Sequence, residues 1–218
     1  IPEKQSAIEM LGDMKSASVD PVLVMWLDRV VSGKAPRELH LEILEAASKR
    51  NDPLIKSQLE RFNAARSKDP MASHSETLAG GDAELGRKIF FERQDVQCLR
   101  CHQLNGTGGV VGPDLTGVGQ RLSRKDLLES IVLPNKTISQ GYENLVIKMK
   151  GGATHVGLLK REDAENIYID SPEDGLLKVP KAEIESLDLG FSSMPPEIAT
   201  ALSKHDLRNL IEFLASQK

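Results

Sequence analysis

The sequence predicts a mainly α-helical chain with a small antiparallel β-barrel inserted ahead of its last helix. Three observations lead there. Proline-marked helix starts recur through the first third of the 218 residues, at Asp20-Pro21, Ala35-Pro36 and Asp52-Pro53. Residues 142–189 alternate apolar and polar positions between closely spaced turn signals. The chain then returns to helical periodicity. Leu207, Leu210, Ile211 and Leu214 fall on one face, with Phe213 beside them, as in an amphipathic helix.

Proline at the first helical position is preorganised for a helix, and Asp just before it can cap free N–H groups. Each start opens a periodic stretch, such as Leu23, Leu27 and Val30, then Leu41, Leu44 and Ala47. Met10, Met14 and Met25 are expected as core filler on these apolar faces. With a helix around Ser6–Lys15, residues 1–66 read as about four antiparallel, HEAT-like helices. They are expected to be the tail of a longer repeat array rather than a free-standing bundle. The start at Ile1, inside a helix pattern, is expected of a fragment of a longer protein. Residues 67–80, from Ser67 onward, are polar with Gly, Ser and Pro, and read as a linker.

Cys98-Leu99-Arg100-Cys101-His102 is a CxxCH motif holding both cysteines of the chain. That spacing attaches one haem c: the thiols add across the haem vinyl groups and the histidine ligates iron. A zinc site wants a second Cys or His pair, which is missing. A redox dithiol wants a βαβ frame, and nothing before Cys98 reads as a parallel strand. Upstream, Asp82 is a plausible cap for a helix in which Gly86 and Phe90 share a face. Downstream, Gly112-Pro113-Asp114-Leu115 offers a backbone carbonyl for the free ring N–H of the histidine. Ser192-Ser193-Met194-Pro195-Pro196 is a proline-stiffened loop before the last helix.

This order, helix–CxxCH–GPxL–loop–MP–helix, resembles a class I cytochrome c. The resemblance implies His102 as proximal ligand, Met194 as distal ligand and Pro113 as the carbonyl partner of His102. It also implies a helix crossing built from Gly86, Phe90 and Phe213. Of the rivals to Met194, Met71 and His74 lie in the linker and Met149 in an expected strand. His155 sits beside a glycine turn, His205 near the last helix start, and His40 on an N-terminal helix. Arg121 is a candidate partner for a haem propionate, because guanidinium forks suit carboxylates.

The span from His102 to Met194 is far longer than a compact class I domain needs. Four segments fill it: Tyr142 to Lys150, Thr154 to Lys160, Asn166 to Asp170 and Leu176 to Val179. The turns between them are Gly151-Gly152, Glu162-Asp163-Ala164 and Pro172-Glu173-Asp174-Gly175. Four or five strands so spaced predict a barrel of the SH3 or Sm-like kind over 142–189. The flanking 81–141 and 190–218 then form the cytochrome c domain. GPDLTGVGQR (112–121), LLESIVLPN (127–135), the β insert and SSMP together resemble a PVC-type haem-binding domain. The resemblance covers about residues 80–218 and implies an electron acceptor for a neighbouring or fused dehydrogenase.

Composition fits a globular chain: 39% hydrophobic, 28% charged, net charge −4. No apolar run approaches membrane-spanning length. Acidic residues outnumber basic ones in the insert, which argues against nucleic-acid binding. Neither a phosphate loop nor a hydrolytic triad is apparent, so the chain reads as an electron carrier rather than an enzyme. The expected partner is a redox protein, a dehydrogenase domain or a downstream cytochrome, and oligomeric state is left open. Covalent haem implies a periplasmic or otherwise extracytoplasmic location. The competing reading is a haem sensor or small catalyst with an open or displaceable sixth site.

Overall fold

Proline and aspartate set the first helices. In the computed structural model, which describes residues 1–66, 68–171 and 173–218, these are α1 (Pro2–Asp13), α2 (Asp20–Val31), α3 (His40–Ser48) and α4 (Pro53–Ala65). Asp52 caps α4 as its position predicts, accepting from the N–H groups of Leu54 and Ile55. Asp20 does not cap α2. Ser16 caps a 3₁₀ turn in front of it, and Asp20 is drawn to Arg50 at 2.7 Å. α1 packs on α3 so closely that a Cβ on Gly12 would lie 2.7 Å from Ala46 Cα. The core between these helices holds Leu23, Leu27, Leu39, Ile43 and Ile55, all essentially buried.

Ser67 and Pro172, parts of the expected linker and of one turn, lie outside the described residues. The rest of the expected linker holds a 3₁₀ helix, Pro70–Leu78, capped by Asp69. Its Glu76 is buried and ion-paired with Arg66 and Lys204. Pairing lets a polar sequence pack inside. The expectation for Met10, Met14 and Met25 is corrected: they are 67%, 47% and 47% exposed. Apolar periodicity is the same on a helix stripe that faces a neighbour and on one that does not.

After these come α5 (Ala83–Glu92), α6 (Cys98–Cys101), β1 (Gln103–Leu104), β2 (Thr107–Gly108), α7 (Val118–Arg121) and α8 (Arg124–Val132). Five strands follow: β3 (Glu143–Met149), β4 (Thr154–Glu162), β5 (Asn166–Ser171), β6 (Gly175–Pro180) and β7 (Ile184–Ser192). α9 (Ile198–Ala201) and α10 (Lys204–Ser216) close the chain. The strands form one antiparallel sheet in the order β6-β5-β4-β3-β7, with β6 and β7 at its ends. Its core is Leu145, Ile147, Ile167, Ile169 and Val179. β7 runs through residues 190–192, past the point where the insert was expected to end.

The chain divides into two compact units. One comprises residues 1–96, 117–128 and 200–218; the other comprises 97–116 and 129–199. In the first, α5 crosses α10 where a Cβ on Gly86 would come 2.0 Å from Asn209 O and 2.7 Å from Phe213 Cβ. Phe90 and Phe213 rings meet there at 5.8 Å. Asp82 caps α5, and its own N–H donates to Asn209 Oδ1 at 2.8 Å. Ser203 and Asp206 form a reciprocal capping box on α10.

Candidate functional site

Gln97, a non-glycine residue in the left-handed region at φ 45°, turns the chain into the single turn of α6. Cys98 and Cys101 stand three residues apart and so share one side of that turn. Both are half-buried thiols. His102 ends the turn in extended backbone, its N–H donating to Cys98 O at 2.9 Å.

The hairpin β1–β2 then brings the chain back over α6. Gly109 N donates to Leu99 O at 2.9 Å, and Gly112 N to Cys101 O at 2.8 Å. This return depends on glycine. A Cβ on Gly109 would sit 1.9 Å from Arg100 O, and one on Gly112 would sit 2.6 Å from His102 Cε1. The imidazole therefore lies flush against the Gly112 backbone.

His102 Nδ1 is 2.9 Å from Pro113 O. A carbonyl only accepts, so Nδ1 carries the hydrogen and Nε2 keeps its lone pair. Burial holds the His102 pKa below its ordinary 6.5, against a weaker upward pull from the Pro113 carbonyl. The ring is thus neutral at pH 7, the form that binds a metal. Two thiols on one side of a turn and an oriented, neutral imidazole fit a haem c. Among the described residues, the one cluster spaced to hold a metal ion is Glu9, Glu42 and His205. It does not include the cysteines.

Met194 is half-buried in the segment between β7 and α9, in the same unit as His102. That segment is firmly held. Ser192 N donates to Asn135 Oδ1 at 2.8 Å, Met194 N to Ser192 Oγ at 3.1 Å, and Asn144 Nδ2 to Phe191 O at 2.7 Å. Arg121 is exposed at the end of α7, in the other unit. Among the rivals to Met194, His205 has Nε2 on Glu45 at 2.7 Å and Nδ1 facing Arg208 at 3.3 Å. His40 faces Ala35 O, His74 is half-buried with Nδ1 3.1 Å from Pro70 O and Met71 is buried. His155 is half-buried in β4 and Met149 half-buried in β3.

Sequence reasoning missed Gly108, Gly109 and Gly112 as the seat of the CxxCH turn. Their density between the motif and Pro113 was the available signal. Gln97 gave none. Asn135 and Asn144 reveal their role only once β3 and β7 are paired.

Residues 83–169 match the family model for cytochrome c, which supports a cytochrome c haem-binding domain and haem-based electron transfer. The match spans the CxxCH motif and Pro113 and ends in β5, short of Met194 and α10. Cytochrome c domains are generally electron carriers that meet redox partners and typically work outside the cytoplasm. Among the described residues, no helix is long and apolar enough to cross a membrane. No curated protein matches the chain.

Proposed function

We propose that residues 81–141 and 190–218 form an electron-transfer domain with one haem c, held covalently by Cys98 and Cys101. The observation that carries this reading is the 2.9 Å contact between His102 Nδ1 and Pro113 O beside the thiol-bearing turn. It fixes the tautomer, leaves Nε2 for iron and raises the basicity of the ring. Met194 is the sixth ligand and Arg121 a propionate partner. A haem c so ligated supplies a one-electron ferric–ferrous couple, its potential raised by the thioether. The chain's own residues anchor the macrocycle, orient the imidazole and limit access of water.

The domain is of the PVC type, with residues 142–189 as an SH3-like barrel insert and residues 1–66 as HEAT-like helices joined through 67–80. It accepts electrons from an associated or fused dehydrogenase, in the periplasm or an equivalent compartment. The ferric absorption spectrum tests the ligation. A weak long-wavelength sulfur-to-iron band is expected, and its loss in Met194→Ala, with a lower midpoint potential and newly acquired CO binding. A wild-type protein that lacks the band and binds CO rapidly is instead a sensor or small-ligand haem protein.

A further inference from the structure

β7 carries an apolar row that its own sheet leaves uncovered. Leu187 pairs with Ile147, and Leu189 with Leu145. Directly paired residues project to the same side of a sheet. Ile147 is 0% exposed and Leu145 7%, so this is the core side. Yet Leu187 is 48% exposed and Leu189 75%, and Phe191, beyond the register shift that follows Leu189, is 78% exposed. Exposure thus grows along the strand toward Met194, and β7 ends the sheet order.

A second uncovered apolar pair, Val110 and Val111, directly precedes Gly112, whose backbone lies against the His102 ring. Both groups belong to the same unit. Each of the two expected axial ligands is therefore accompanied by large apolar side chains at the surface. Grouped apolar surface marks a binding site. A strand added to the β7 edge would want cover centred on the strand. Exposure concentrated at the Met194 end fits a wide apolar plate gripped between its two ligands.

Building on the haem reading above, we propose that Leu189 and Phe191 form the Met194-side wall of the haem pocket, facing Val110 and Val111 on the His102 side. The sheet is then part of the pocket rather than an appendage. By excluding water there, it raises the potential together with the thioether.

Proton NMR of the unaltered, haem-loaded ferrous chain tests this without any substitution that might prevent folding. The Leu189 methyl and Phe191 ring resonances are expected to be displaced by the haem ring current. Those of Leu176, exposed on the opposite edge strand β6, are expected at ordinary positions. Leu189→Ser and Phe191→Ser then lower the midpoint potential, and Leu176→Ser does not. Undisplaced Leu189 and Phe191 resonances overturn the wall even where the sulfur-to-iron band is present, which leaves the ligation reading standing. Displaced resonances without that band keep the wall and remove Met194 as ligand. A chain that attaches no haem defeats both.

Discussion

Gly86 and Gly112 each admit a close neighbour, and they do it for different ends. At Gly86 the neighbour is the backbone of α10, in a unit whose inward charges are paired: Arg208 with Glu42, and Arg66 and Lys204 with Glu76. At Gly112 the neighbour is the ring of His102, in a unit that leaves Val110, Leu189 and Phe191 at its surface. One glycine closes a core; the other positions an imidazole. The same residue type thus gives opposite predictions for stability and for haem properties.

Gly86→Ala tests the first half of that contrast most severely. Its Cβ would meet a backbone oxygen that cannot swing away, so about 3 kcal/mol of stability should be lost, read as a fall in Tm by circular dichroism. The haem spectrum of whatever remains folded should be unchanged. An alanine that leaves Tm in place would mean that the helices do not cross this closely.

Glu76→Gln comes next, at about 2 kcal/mol, because two cations lose their buried counter-charge. Burial alone would raise the Glu76 pKa. Hydrogen bonds from Arg66 and Lys204 outweigh it and hold the group below the ordinary 4.5. The stability it provides is therefore fully present above pH 4.5 and is lost as pH falls through the lower folded value. Acid titrations of Tm should be shallower in the Gln variant than in wild type over that window.

Gly112→Ala should cost least in stability, about 1 kcal/mol. It should nonetheless move the ferric electron paramagnetic resonance g-values, since the imidazole must tilt away from the new methyl group. Unchanged g-values with a large loss of Tm would erase the distinction between the two glycines.

Local chemistry was legible where one residue decides the outcome. Asp52-Pro53 announces α4 because the cap and the proline act within one turn. The CxxCH spacing announces the thiol pair, and Gly-Pro announces the carbonyl that meets His102. What the sequence hid depends on partners far along the chain. Asp20 could cap α2 but is taken by Arg50. Glu76 reads as linker polarity until Arg66 and Lys204 surround it. Met10, Met14 and Met25 have core spacing, yet they stay exposed. β7 mixes Glu185 and Asp188 into an apolar alternation, which blurred its end and concealed that it runs on almost to Met194.

The long-range side-chain contacts of α10 also bear on the order of events during synthesis. His205 meets Glu45 across 160 positions, and Lys204 meets Glu76 across 128. Such distant pairings form slowly, because loop closure must precede any stabilisation they give. The first unit cannot close until α10 has been synthesised. The CxxCH turn, by contrast, is complete within a short local segment. That turn can therefore form before α10 has closed the first unit.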